Sequence, residues 1–244
     1  MILIKTPQEI QIMQEGGKIA RKAVDEALKR AKAGMSTLEL NNIAEKIITD
    51  MGGVPCFKGY EGFPFATCIN INEGVVHGVP NKYKIQRGDI VSVDLGVLYG
   101  GLNTDVSESF EVETDAHRKF LDTGRKALEN AIKVCVTGNK IGDISNTIQK
   151  TIESGGFSVS RDLAGHGVGR EIHEDPYVEC FGRPGKGHEL KEGMTLAIEI
   201  IYQKGRPELH LAKDGWTLST KDGSLSGLFE KSVAVTRQGV LVLT

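Results

Sequence analysis

Two acidic residues lie inside apolar runs of the sequence, where charged side chains are unusual. Asp94 lies in residues 90–95 (IVSVDL) and Glu199 lies in residues 196–201 (LAIEII). Aliphatic and β-branched residues dominate both runs, which predicts two strands. An acid in such a run lies most simply at a strand end or on a solvated face, because burying an unpaired charge is costly. For either acid alone, this ordinary explanation is as good as a functional one.

An internal repeat relates the two acids. Residues 21–23 (RKA) recur about 104 residues later as residues 125–127, and further matches continue in the same register. At nearly the same offset, residues 88–95 line up with residues 193–200. The two acids therefore occupy equivalent positions in the two halves, which favours a shared function over two accidental surface positions.

The repeat pairs further residues that carry chemistry. When a longer loop is allowed in the second half, Asp105 faces Glu230, and the His-Gly-Val segments at His77 and His166 also correspond. Each half then offers two acids and a histidine. If the halves pack about a pseudo-two-fold axis, the paired acids meet in the middle of the molecule.

Buried carboxylates that converge repel one another unless a cation lies between them, and a divalent ion is the usual solution. Four acids and one histidine are too many for one ordinary site, but they suit two ions about 3.5 Å apart with positions left open for substrate. Oxygen-rich ligation with a single imidazole fits Mn, Fe(II), Co or Zn and argues against a thiolate zinc site. The predicted ligands are Asp94, Asp105, His166, Glu199 and Glu230.

The glycines around His166 do not form a dinucleotide-binding loop. Residues 165–169 read GHGVG, but Arg170 stands where the G-x-G-x-x-G pattern needs glycine. These glycines instead allow the backbone to approach a metal site closely. His173 follows seven residues after His166, and a lone histidine there is more often a polar surface residue than a functional one.

Helices and strands must position these side chains, and the helix signals are strong. Thr6 and Glu9 form a capping box around Pro7, which predicts a helix to about Ala33. Ser36 and Glu39 form a second box that opens another helix. Each half thus reads as helix, helix and strands, and neither half can bury its own apolar faces. We predict an α+β fold in which two pseudo-symmetric helix-helix-strand repeats surround a central antiparallel sheet.

Composition supports a single domain over residues 1–244, with repeats at approximately 6–112 and 113–244. The chain is 39% hydrophobic and 25% charged, with a formal net charge of -2. This balance gives no general attraction to nucleic acid or to a membrane surface. The first seven residues are too short for a signal-peptide core and no run approaches a membrane span, so we expect a cytoplasmic protein.

The cysteines form no C-x-x-C pair, and we expect reduced, buried thiols at Cys56, Cys68, Cys135 and Cys180.

Taken together, several stretches make the whole chain resemble a type I methionine aminopeptidase, a metallopeptidase of the pita-bread fold. The stretches are residues 71–80 (INEGVVHGVP), 88–105, 165–174, 198–199, 213–217 (KDGWT) and 229–230. The resemblance implies the same five metal ligands that the repeat suggests. It also implies removal of the N-terminal methionine from nascent polypeptides, preferentially when the second residue is small, by metal-activated hydroxide attack on the first peptide bond.

The resemblance also assigns roles to individual residues. Glu199 is implied to shuttle protons for the attacking hydroxide, while His77 and His173 contact the scissile peptide and stabilise the tetrahedral intermediate. Polarizable cysteine and aromatic side chains suit the thioether of methionine. The implied methionine pocket comprises Cys56, Tyr60, Phe63, Cys68, His77 and Trp216, with His173 beside the substrate.

Four residues depart from the pattern common in this family, and two rival functions remain open. The departures are Glu61, Ile172, Ile200 and Lys231, none of which is a predicted metal ligand. One rival is a pita-bread peptidase that cleaves before proline, although such enzymes usually carry a large N-terminal domain. The other is a non-catalytic binding module on the same fold. We expect a monomer, and the native metal and association with ribosomes stay undecided.

Overall fold

The computed structural model describes residues 1–244 and contains four α-helices. They are α1 (Pro7–Arg30), α2 (Thr37–Asp50), α3 (Arg118–Val134) and α4 (Ile141–Ser154). Both predicted capping boxes are confirmed. Thr6 Oγ1 accepts the Glu9 N–H at 3.2 Å while the Glu9 carboxylate accepts the Thr6 N–H at 2.8 Å, and Ser36 and Glu39 repeat this exchange. α1 ends slightly before the predicted Ala33 because Ala31 adopts an extended backbone.

Thirteen strands accompany the helices, and a single turn of 3₁₀-helix covers Tyr60–Gly62. In the first half the strands are β1 (Val54–Pro55), β2 (Cys68–Ile71), β3 (Gly74–Val76), β4 (Ile90–Tyr99) and β5 (Leu102–Glu111). In the second half they are β6 (Ser158–Val159), β7 (Ala164–Gly167), β8 (Glu174–Glu179), β9 (Thr195–Gln203), β10 (Leu209–Leu211), β11 (Leu218–Thr220), β12 (Ser226–Thr236) and β13 (Gly239–Val242).

Ten of these strands form one antiparallel sheet that runs through both halves of the chain. Its order is β1-β4-β5-β12-β9-β7-β8, with β2 paired to β4, β6 paired to β9 and β13 paired to β12. β5 of the first half pairs directly with β12 of the second half. A separate three-stranded sheet has the order β10-β11-β3. The observed architecture, helices packed on an antiparallel sheet, confirms the predicted α+β class.

The two helix pairs cover the large sheet on one side. Apolar side chains of α1 and α2 pack against β4 and β5, while those of α3 and α4 pack against β9 and β12. Because successive side chains of a strand point to opposite faces, this packing decides where the acids lie. In β4, Val93 and Leu95 belong to the core with α1 and α2, so Asp94 between them faces the other side of the sheet. None of the four helices is long and apolar enough to cross a membrane.

Candidate active site

A row of side chains crosses five neighbouring strands on the face of the sheet that the helices leave free. Residues directly opposite one another in antiparallel strands share a face. Cys68 of β2 lies opposite Asp94, Asp94 lies opposite Ser107, and Ser107 lies opposite Glu230. Glu230 in turn lies opposite Glu199. The register of the sheet therefore brings acids from both halves into a single row, although they are far apart in the sequence.

The other two predicted ligands flank this row on the same face. Asp105 lies two residues before Ser107 in β5, and His166 lies opposite Ala197, two residues before Glu199. Asp105, His166 and Glu230 each offer one ligand atom, and these atoms lie within 4.8 Å of one another. His166 Nε2 lies 3.4 Å from Glu199 Oε1. The five side chains thus point into one space.

The electrostatics of this space favour a cation. Burial raises the pKa of Asp105 to about 7, and burial together with the charges of the neighbouring acids raises the pKa of Asp94, Glu199 and Glu230 well above the usual range. Burial also lowers the pKa of His166 to about 4, which keeps its imidazole neutral and able to bind a metal. Without a positive charge between them, these carboxylates cannot all ionise near neutral pH.

Unpartnered oxygen atoms support the same conclusion. Asp94 Oδ1 and Glu230 Oε1 are buried and accept no hydrogen bond from any protein group. A buried carboxylate oxygen without a donor is expensive, and coordination to a divalent ion would satisfy both atoms. The donor set of four carboxylates and one imidazole suits a divalent transition metal. The residues present therefore fit a metal site.

The two other predicted histidines lie at the edge of this centre. The His173 ring centroid is 4.4 Å from that of His166, and His173 Nδ1 lies 3.1 Å from the Tyr60 hydroxyl. His77 adopts a left-handed backbone with φ of 58°, which is uncommon for a residue with a side chain. Desolvation lowers the pKa of both histidines, and the proximity of His77 lowers the pKa of His173 further. Both are therefore neutral near pH 7 and can donate hydrogen bonds.

Comparison with known proteins agrees with this geometry. The family model described as metallopeptidase family M24 matches residues 11–237. The chain belongs to metallopeptidase family M24. Membership in this family confirms the predicted enzyme class, a metal-dependent hydrolase.

Relatives within family M24 match the chain over its full length. A methionine aminopeptidase of Clostridium perfringens is 41% identical, with 100% of this chain and 99% of that protein covered. A solved structure of a Thermotoga maritima methionine aminopeptidase is 44% identical, with a TM-score of 0.98 and coverage of 100% and 99%. A prolidase from Pyrococcus furiosus is 25% identical with a TM-score of 0.80, and the chain covers 65% of it. The predicted pita-bread fold is confirmed by these neighbours.

A cavity of about 610 Å³ opens onto the five proposed metal ligands. Of the six residues implied for the methionine pocket, five line this cavity: Tyr60, Phe63, Cys68, His77 and Trp216. Phe63 and Trp216 meet edge to face at 5.3 Å between ring centroids. Cys56 does not line the cavity. Its thiol instead packs against Gly96, so closely that a side chain at position 96 would collide with it.

Several lining residues escaped the sequence interpretation. Phe57, Val76, Glu61 and Tyr177 all line the cavity, although only Glu61 drew attention, as a departure from the family pattern. Tyr177 is 64% exposed in β8, whose residues alternate between buried and exposed. An aromatic residue at an outward position of a strand directly after His173 was an available signal. For Asp162, which also lines the cavity, we find no such signal in the sequence.

Proposed function

We propose that this protein is a methionine aminopeptidase that removes the N-terminal methionine from nascent polypeptides, and that residues 1–244 act as one catalytic domain. The single observation that carries the proposal is the convergence of Asp94, Asp105, His166, Glu199 and Glu230 on one face of a sheet shared by both halves. Full-length relatives with the name methionine aminopeptidase support the choice of substrate.

In this proposal the five side chains hold two divalent ions, for which Mn, Fe(II), Co and Zn are the candidates. When bound, the ions lower the pKa of a water molecule toward neutrality and polarise the scissile carbonyl. The buried carboxylates keep the centre electroneutral, and the neutral imidazole of His166 completes the donor set. The ions held by these residues would leave room for a free α-amino group, which would restrict the enzyme to N-termini.

The other side chains handle protons and position the substrate. Glu199 is the best candidate to accept the proton of the attacking water and to deliver it to the leaving amine. His77 and His173 are proposed to donate hydrogen bonds to the scissile peptide as negative charge develops on its oxygen. The edge-to-face pair of Phe63 and Trp216 forms an apolar wall for the methionine side chain.

Peptide hydrolysis tests this function directly. Metal-free protein is loaded separately with Mn, Fe(II), Co or Zn and incubated with Met-Ala-Ser, Met-Leu-Ser, N-acetyl-Met-Ala-Ser and Ala-Pro-Ser. We expect mass spectrometry to detect rapid methionine release from Met-Ala-Ser, slower release from Met-Leu-Ser and none from the acetylated peptide. Preferential cleavage of Ala-Pro-Ser would instead identify the enzyme that cleaves before proline. Full turnover by protein shown to be metal-free by elemental analysis would refute the metal-dependent mechanism.

A further inference from the structure

A buried ion pair outside the metal centre lies next to His173. Lys5 precedes α1 and its side chain is only 1% exposed, while the side chain of Glu174, directly after His173, is 3% exposed. The Lys5 ammonium contacts the Glu174 carboxylate and donates a second hydrogen bond to the Leu3 carbonyl at 3.3 Å. No step of the proposed mechanism uses either residue. Both charges nevertheless had to be removed from water when the chain folded.

The Glu174 carboxylate organises the loop that leads to His173. Its second oxygen accepts the Glu171 N–H at 3.1 Å, and the Glu171 carbonyl accepts the Gly169 N–H at 3.0 Å. The Gly169 carbonyl in turn accepts the Asn103 N–H at 2.6 Å. The loop is thus closed on itself around Glu174 and tied to β5, two residues before Asp105.

The Lys5 side chain packs against this loop. A Cβ atom added to Gly169 would collide with Lys5 Cε, so the lysine packs directly against the loop backbone. The Lys5 backbone is itself fixed, because its N–H donates to the Gly193 carbonyl at 2.8 Å. The ammonium therefore reaches Glu174 from a backbone position that is hydrogen-bonded to Gly193, just before β9.

A buried ion pair seldom stabilises a fold more than an apolar pair of the same volume, but it does require one geometry. Glu174 is the first residue of β8, and His173 directly precedes it in the loop. Fixing the Glu174 carboxylate on the buried side consequently fixes the backbone from which His173 projects into the cleft. Small displacements of a substrate-contacting group are costly to catalysis.

We propose that Lys5 is a positioning residue for His173, acting through its buried ion pair with Glu174. The inference rests on the proposed aminopeptidase function. Lys5 touches neither substrate nor metal, and its effect passes through the backbone of residues 169–174.

A double-mutant cycle tests this inference. Lys5→Met keeps an unbranched side chain that is one atom shorter and removes its charge, and we expect kcat for Met-Ala-Ser to fall between about 10- and 100-fold, as a displacement of about 1 Å can cause. KM and metal content should stay within about twofold of wild type. Introduced into His173→Ala, the same substitution should change kcat less than about twofold, because the group that it displaces is already missing.

Lys18→Met provides a matched control, because Lys18 is an exposed lysine of α1 that pairs with Glu15 at 2.6 Å. It should keep wild-type kcat. If Lys5→Met does not fold, the same double-mutant cycle is measured with Glu174→Gln in place of Lys5→Met. This substitution keeps the shape of the carboxylate and removes the charge of the other partner in the ion pair. The positioning role would be overturned if the fold-losses in kcat of Lys5→Met and His173→Ala multiply in the double variant. Wild-type kcat in Lys5→Met would overturn it as well. Wild-type protein that releases no methionine would refute the aminopeptidase function itself, which separates the two failures.

Discussion

All four acids of the candidate centre line the cavity, and Glu199 is the most exposed of them. Its side chain is 14% exposed, whereas Asp94, Asp105 and Glu230 are buried. Glu199 also approaches His166 Nε2 to 3.4 Å, so its carboxylate is next to a proposed metal ligand as well as being open to the cavity. A carboxylate in that position can both bind a metal and exchange a proton with substrate.

Glu199→Gln keeps the shape of the side chain but removes its charge and its capacity to accept a proton. We expect kcat for Met-Ala-Ser to fall at least about 100-fold, the lower end of what general acid-base catalysis contributes. Steady-state kinetics with saturating metal measure the loss. Glu192→Gln, which alters an exposed glutamate paired with Arg237, is the control and should have no effect on kcat. A near-normal kcat in Glu199→Gln would remove this residue from proton transfer.

His166 and His173 lie in contact, but His166 is proposed to bind metal and His173 to donate a hydrogen bond to the substrate. Replacing each with alanine distinguishes the two roles. His173→Ala should lose transition-state stabilisation of about 2.7–4 kcal/mol, taking one oxyanion-hole donor as the guide. The loss should appear in kcat while metal content stays normal, as measured by elemental analysis beside the kinetics. His166→Ala, in contrast, should lower metal occupancy itself. His173→Ala with wild-type kcat and kcat/KM would show that His173 is only a surface residue.

At the scale of elements, helix packing fixes the strands that carry the acids. Gly124 in α3 faces β12 and β9, where a Cβ atom would collide with the Phe229 ring and the Tyr202 hydroxyl. Phe229 directly precedes Glu230 in β12. The close approach of α3 to the sheet therefore requires glycine at this position and holds the backbone of a proposed metal ligand in place.

Gly124→Ala has two opposing effects on stability, a gain in helix propensity and a loss from overpacking. Alanine favours a helix over glycine by about 1 kcal/mol, but overpacking a close contact costs about 1–3 kcal/mol. Here the collision is with ring atoms held in the core, so we expect net destabilisation, measured as a lower midpoint of urea unfolding. Glu129→Ala, at an exposed position of the same helix, should leave stability within about 0.5 kcal/mol. A more stable Gly124→Ala would show that α3 can move away from the sheet.

At the scale of the whole molecule, the candidate metal centre draws its side chains from both halves of the chain. Asp94 and Asp105 come from β4 and β5, while His166, Glu199 and Glu230 come from β7, β9 and β12. Ions held between these strands bind the folded protein and not the unfolded chain, in which the ligands are scattered. Metal binding and folding should therefore be coupled.

Metal addition is expected to raise the thermal stability of the metal-free protein. Free metal at 100 times its Kd adds about 2.7 kcal/mol, which corresponds to roughly 5–11 °C in Tm for a chain of this size. Differential scanning calorimetry over a metal titration measures the shift. His166→Ala should reduce it, since one ligand is removed. A Tm that does not respond to Mn, Fe(II), Co or Zn would contradict a metal centre between the halves.

The sequence by itself determined the features that depend on local chemistry or on the repeat. The capping boxes at Thr6 and Ser36 follow from neighbouring residues alone. The equivalence of Asp94 with Glu199 follows from matching the two halves, and equivalent positions in symmetric repeats approach one another near the axis. The proposed metal ligands were therefore accessible without coordinates, and their role as ligands stays a prediction.

Only the tertiary structure decided which residues surround that centre. Strand register puts Cys68 in line with Asp94 but leaves Cys56 outside the cavity, and no local signal distinguishes these two cysteines. The contact of Lys5 with Glu174 joins residues 169 positions apart and depends on how the segment before α1 packs against the His173 loop. Such contacts arise from the packing of distant segments, and no local pattern in the sequence specifies them.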